Sequence, residues 1–213
     1  MDSFAMLTPV ILTWEYPPNI IGDLSHYVEG LASRLIDAKV PVRVVTCHDH
    51  GFQHEKKGEL LDIYWASNPV KSQISVLTWC LSFNAEMERI VSDLYYEKPD
   101  AGYVLDVQDW HFVPAGVSLK RAHGLPFVFT LHSLEEQRSP GSTYALSSCI
   151  RGLEAMGILE SDLIVVKNEQ MRKLVIEGYK TPEEKVVAIQ SGSPDEIKKT
   201  LDSYVSATHK GCG

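Results

Sequence analysis

The sequence predicts an α/β fold: one doubly wound, mostly parallel sheet with helices on both faces. Three observations carry this. Short apolar runs alternate with amphipathic stretches from one end of the 213 residues to the other. The runs are almost continuously apolar, as strands covered on both faces are. No linker, repeat or low-complexity segment interrupts the rhythm, so residues 1–213 read as one domain.

Taken in order, residues 7–13 (LTPVILT) form a short buried strand. Residues 24–36 carry Leu24, Tyr27, Val28, Leu31 and Leu35 at the spacing of one helix face. Residues 41–46 and 61–65 are strands. Residues 74–95 place Leu77, Cys80, Phe83, Met87, Ile90, Val91 and Leu94 on one stripe, which predicts a long helix. Strands follow at 102–107 and 126–131, with a helix near 112–122 between them. A helix near 143–158 leads to a strand at 162–166, and a helix at 168–178 stops at Gly178. A last strand at 185–190 precedes a polar helix from about 194. The end of the chain, from about 204, reads as a frayed tail.

Composition excludes several classes. The net charge of −8 argues against a general nucleic-acid binder, which needs a basic surface. No apolar run approaches the roughly 18 residues of a membrane span. The start of the chain lacks a signal peptide, so the expected location is cytoplasmic. Cys47, Cys80, Cys149 and Cys212 form no C-x-x-C pair. Cys47, His48, Asp49, His50 and His54 offer metal-ligand chemistry, but their spacing matches no standard zinc site; a polar loop is the plainer reading and no metal is expected.

In open parallel sheets, ligands bind beyond the carboxyl ends of the strands. Three segments hold reactive side chains there. The first, Thr13 to His26, carries Trp14, Glu15, Tyr16, Pro17 and Pro18, then Gly22 and Asp23 before a helix. Two prolines should keep it extended, and amides at a helix start can hold a phosphate. The alternative is a capped helix, with Asp23 as the cap and Gly22 a simple turn. The second segment, Asp106-Val107-Gln108-Asp109-Trp110-His111, offers a carboxylate, a flat ring and an imidazole, the mixture that sugars need. The alternative is a capped turn with Trp110 plugging the core. The third, Thr130 to Glu136, contains His132, Ser133 and Glu135. A lone histidine is more often structural, but the strand-end position favours a site.

The segment TWEYPPNIIGDLSHYVEGLASRL resembles the opening of glycogen and starch synthase-like retaining glycosyltransferases, GT-B enzymes built from two Rossmann-like domains. In that family a W-E-[YF]-P-P loop runs into a Gly-Gly turn and a helix. VLDVQDWHFVPAGVSLKRAHGLPFVFTLHSLEEQ is similar to the family's H-x-H-D-W segment, helix and T-x-H strand end. SDLIVVKNEQMRKLVI is similar to the segment where a strand ends in V-S and leads into a helix, and KVVAIQSGSPDE to the K-V-x-V-I-P-N-G-x-D segment that closes the N-terminal domain. Order and spacing hold over residues 7–196.

The resemblance implies sugar transfer from a nucleoside diphosphate with retained configuration. It implies that His132 and Asp109 lie beside the reacting sugars, and that Gly22 and Asp23 form the donor phosphate loop. Trp110, Ser133, Glu135 and Tyr16 become candidate contacts to a glycan or sugar acceptor. The chain departs from the family at Asp23, where the second turn glycine stands, at Asp106 and Gln108 in place of two histidines, at Asn168, where a serine is usual, and at Ser191, where the hinge asparagine is usual. It ends where a donor-binding domain would begin. A nucleotide sugar is therefore expected only together with such a domain, separately encoded or in a longer chain, and the isolated chain is expected to be inactive; no other cofactor is expected. The alternative is a non-catalytic relative that binds glycans or partners. Trp14, Tyr16, Pro17, Pro18 and Trp110, if exposed on the cleft edge, would favour a homodimer.

Overall fold

The computed structural model describes residues 7–48, 52–70 and 75–210. Eight strands form one sheet: β1 (Thr8–Thr13), β2 (Val42–His48), β3 (Gln53–Lys57), β4 (Leu61–Ser67), β5 (Tyr103–Gln108), β6 (Phe127–Leu131), β7 (Leu163–Val166) and β8 (Val186–Ala188). Their order across the sheet is β3-β4-β2-β1-β5-β6-β7-β8, and only β3 runs antiparallel to its neighbour. The chain winds outward from β1 in one direction and from β5 in the other. The switch point, where a doubly wound sheet opens a crevice, therefore lies between β1 and β5.

Among the described residues seven α-helices accompany the sheet: α1 (Asp23–Asp37), α2 (Val76–Glu97), α3 (Val113–His123), α4 (Glu135–Arg138), α5 (Ala145–Glu160), α6 (Glu169–Tyr179) and α7 (Glu196–Lys210). One face of the sheet packs on α2, α3, α5 and α6 through Phe83, Met87, Val117, Ile158 and Met171. The other packs on α1 and α7 through Val28, Leu31, Leu35, Leu201 and Tyr204. Gly157 lets α5 approach closely: a Cβ there would sit 2.6 Å from Phe129 Cε1.

The predicted elements recur with shifted ends, and the structure makes several corrections. Residues 204–210, expected to fray, are ordered. They are helical, with Tyr204 and Ala207 buried. Gly178 does not stop α6, which runs to Tyr179; Lys180 takes the left-handed turn at φ 51°. β3 was not foreseen, because QHEKK is polar at every position and its side chains are exposed. It is a charged edge strand, the kind that discourages further pairing. The loop after β1 is not extended either. It folds back, with Asn19 N donating to Tyr16 O at 2.9 Å.

Beneath the sheet's centre, Asp106 on β5 is buried. Its Oδ1 accepts from Thr130 Oγ1 at 2.6 Å and its Oδ2 from Tyr204 OH at 2.7 Å. Burial raises its pKa to about 6. One carboxylate thus joins β5, β6 and α7. Removing a partner from a buried charged acceptor costs about 1–3 kcal/mol. We expect Tyr204→Phe to destabilise the chain by about that amount in denaturant titrations, with unchanged secondary structure at low denaturant.

Candidate functional site

Three strand ends and one helix start meet at the carboxyl edge of the sheet. They line a cavity of about 430 Å³ with Asp23, Leu24 and Tyr27 of α1, Thr130 to Ser133 at the end of β6, Val165 to Lys167 at the end of β7, and Ile189 and Ser191 after β8. His132 is its central polar ring. Its Nε2 lies 2.8 Å from Gln108 Oε1, and its ring meets Tyr27 edge-on with centroids 4.6 Å apart. A carbonyl oxygen only accepts, so Nε2 carries the proton. Burial holds the imidazole below its usual pKa. Asp109 opposes this shift, while Lys167 adds to it.

Asp109 adjoins His132 through the backbone. Asp109 N donates to Thr130 O at 2.9 Å, and Asp109 Oδ1 accepts from His132 N at 2.8 Å. The residue is buried and holds φ 57°, ψ −176°, a region that non-glycine residues avoid at a cost of about 1–3 kcal/mol. Strain of this kind, held by bonds on both sides, fixes the carboxylate at the strand end. Asn84 steadies the next turn: its Nδ2 donates to His111 O at 3.0 Å and its Oδ1 accepts from Ala115 N at 2.8 Å.

The first loop is built differently from the sequence expectation. Glu15 is buried, and its Oε2 accepts from Ile21 N and from Gly22 N, both at 2.6 Å. The Gly22 amide, predicted to face a phosphate, is already donated to this carboxylate. Gly22 is the residue before α1, and Asp23 is the first helical residue rather than the cap. Asp23 is exposed and lines the cavity.

Three of the predicted sugar contacts are withdrawn from the cleft. Tyr16 is buried against Trp65, with centroids 6.2 Å apart. Trp110 is buried with Cys80 and Ile150, and it stacks on His111 at 4.1 Å. Glu135 is buried and accepts from Arg138 Nε at 3.1 Å. Each lies where apolar burial or an ion pair serves it better than water does. Ser133 does line the cavity. Trp14 is half-buried and stacks on His111 at 4.7 Å. With Tyr16 and Trp110 inside, the aromatic patch proposed for a homodimer does not form, and that basis for a dimer is gone.

Of the side chains with metal-ligand chemistry, Asp49 and His50 lie outside the described residues. Cys47 is buried, His48 packs edge-on to Trp65, and His54 bonds Asp62 at 2.9 Å and stacks on Tyr64. Among the described residues no cluster of three or more His, Cys, Asp or Glu side chains could hold a metal ion.

Sequence reasoning passed over Tyr27, Lys167 and Glu154. Tyr27 had been assigned to the apolar helix face, and Lys167 follows β7 by the same strand-end rule that selected His132. Glu154 had no signal, because one acid inside a helix looks solvated. It is fully buried on α5, where Oε1 accepts from Glu135 N at 2.7 Å and Arg138 Nη2 at 2.9 Å.

Residues 24–196 match the model of Glycosyltransferase Family 4. The chain belongs to glycosyltransferase family 4. It is 32% identical over 184 residues to an uncharacterised glycosyltransferase of Methanocaldococcus jannaschii, covering 85% of this chain and 45% of the relative. It is 25% identical over 196 residues to a glycogen synthase of Mycobacterium tuberculosis, covering 86% and 47%. In fold it is similar to sucrose-phosphate synthase from Thermosynechococcus elongatus, with a TM-score of 0.70 at 15% identity over 88% of this chain and 48% of that one. This family 4 chain therefore has the N-terminal fold of a GT-B glycosyltransferase of the glycogen-synthase kind. It spans about half the length of the curated relatives it matches. Among the described residues no helix is long and apolar enough to cross a membrane.

The buried acid gives this family 4 chain a pH signature. Burial raises the Glu154 pKa from 4.5 to about 7, against the pull of the Glu135 amide and Arg138. A carboxyl whose folded pKa is raised contributes stability below its unfolded pKa and loses it as pH rises through the folded value. We expect Glu154 to contribute a fall in thermal stability between about pH 4.5 and pH 7, set against a rise from His111 between about pH 4 and pH 6.5. Glu154→Gln should flatten that fall, as thermal melts across the range would show. His111, lowered to about 4 by burial, acts in the opposite sense as pH falls below 6.5 and is common to both proteins.

Proposed function

We propose that the chain is the acceptor-side wall of a retaining glycosyltransferase that uses a nucleotide sugar held largely by a second domain. The observation that carries this is the meeting of His132, Asp109 and Gln108 at the strand ends beside an open cavity. In a retaining transfer the bond from the anomeric carbon to the diphosphate breaks. The acceptor oxygen bonds to the same face, and its proton passes to the departing phosphate. The sugar gains positive character on the way.

A neutral imidazole suits that step because it does not repel a cationic sugar. Burial keeps His132 neutral, and Gln108 holds its Nε2 proton inward. The Asp109 carboxylate, whose Oδ1 accepts from the His132 amide at 2.8 Å, adds a negative field at the same strand end. Reduced thiols at Cys47, Cys80 and Cys149 suit the reducing conditions of a cytoplasmic enzyme. A second reading is a non-catalytic glycan-binding relative. Glu15 favours it, since its carboxylate takes two amides at the turn where the family is expected to meet phosphate.

The test is transfer from a panel of nucleotide sugars by a protein that contains this chain together with a donor-binding domain. We expect a product of retained configuration by NMR and a loss on the order of 100-fold for His132→Ala. An inverted product overturns the retaining mechanism, and an undiminished His132→Ala variant overturns the role given to His132. Glycan binding without transfer from any donor supports the second reading. The isolated chain should bind nucleotide sugars no tighter than about millimolar, because few contacts remain to offset the cost of association. Micromolar binding by calorimetry would remove the need for a second domain.

A further inference from the structure

Behind the cavity lies a polar network that the transfer step does not use. It begins at Glu154, fully buried on α5. Glu154 Oε1 accepts from Arg138 Nη2 at 2.9 Å and from the Glu135 amide at 2.7 Å. Arg138 Nε donates to Glu135 Oε2 at 3.1 Å. The remaining arm, Nη1, donates to Ser133 Oγ at 2.5 Å and to Ser133 O at 3.2 Å. Every arm of the guanidinium is therefore committed, and its plane is set by two carboxylates. The Arg138 side chain is one-third exposed, so solvent screens the pair with Glu135 less than on an open surface but more than in the core.

The consequence falls on Ser133. A serine hydroxyl has one proton and two lone pairs. Arg138 has no acceptor to offer, so it occupies a lone pair of Ser133 Oγ and cannot take the proton. Among the described residues no acceptor takes that proton, and Ser133 lines the cavity directly after His132. A donor bond from a cation also makes the hydroxyl a better donor in turn.

We propose that Arg138, anchored by Glu154, is a positioning residue that turns the Ser133 hydroxyl proton into the cavity, where it donates to an oxygen of the bound sugar. This rests on the transferase reading above. The ligand chemistry is an uncharged acceptor oxygen, a sugar hydroxyl or ring oxygen, within reach of His132. Asp23 and Lys167 both line the cavity and offset one another, which suits an uncharged oxygen.

The experiment uses the transfer-competent protein that contains this chain, with Ser133→Ala, Arg138→Gln, the double variant and Glu154→Gln. Retained melting temperature and circular dichroism establish that each is folded. Ser133→Ala and Arg138→Gln should each lower kcat/KM about tenfold, and the double variant should be no worse than either alone, because the two act as one unit. Glu154→Gln keeps an acceptor for Arg138 and should lose less than threefold. A panel of monodeoxy sugars then identifies the partner oxygen. One analogue should cost the parent protein the same factor as Ser133→Ala and cost the Ser133→Ala variant nothing more. Additive losses in the double variant, or equal sensitivity of parent and Ser133→Ala to every deoxy sugar, overturn the proposal. The His132→Ala control separates the failures: if it alone abolishes transfer while Ser133→Ala and Arg138→Gln are silent, this proposal falls and the transferase reading stands. If Arg138→Gln fails to fold, the Ser133→Ala comparison on the deoxy panel still decides.

Discussion

The buried Asp106 carboxylate is the constraint on which the rest of the domain depends. It sits on the strand beside the switch point and takes one donor from β6 and one from α7. A charge in such a place is tolerated only where its lone pairs are met, and the fold is arranged around meeting them. Thr130 supplies one donor and at the same time lines the functional cavity. Tyr204 supplies the other and draws α7 across the second face of the sheet, where Leu201 and Ala207 cover apolar surface. A single polar residue thus couples the sheet's centre, its closing helix and the floor of the site.

Above that floor, the site is ordered by carboxylates that point inward rather than by residues that face the cleft. Glu15 fastens the loop before α1 through two amides. Asp109 fastens the end of β6 through the His132 amide and accepts an unfavourable backbone conformation in doing so. Glu154 fastens the following turn through an amide and Arg138. Each carboxylate spends its lone pairs on backbone N–H groups at the end of a strand or helix, where such groups lack regular partners. The cavity is left lined by groups of modest polarity, with Asp23 and Lys167 as its opposing charges.

The aromatic residues illustrate what pattern reading misjudges. Trp14, Tyr16 and Trp110 follow strands, as sugar-stacking residues do, and the sequence offers no means of telling a platform from a plug. The difference is one of neighbours. Trp110 finds Cys80 on α2 and Ile150 on α5, and His111 lies flat between Trp14 and Trp110. These partners come from segments dozens of residues apart, so the decision is tertiary. Glu135 and Glu154 were obscure for the same reason, since their shared partner Arg138 is recognisable only once α5 packs beneath the loop.

By itself, the sequence determined the alternation of strands and helices, the parallel sheet and the placing of His132 and Asp109 at strand ends. Those follow from local hydrophobic periodicity and from a rule about open sheets, both of which need only nearby residues. The antiparallel edge strand escaped because a fully exposed strand leaves no apolar pattern. The order of residues 204–210 escaped because Tyr204 looks dispensable until Asp106, 98 residues away, is brought to it. Tertiary structure alone decided which polar groups face the cavity and which are consumed within the protein. That choice depends on desolvation and hydrogen-bond partners assembled from distant segments, and no local pattern encodes it.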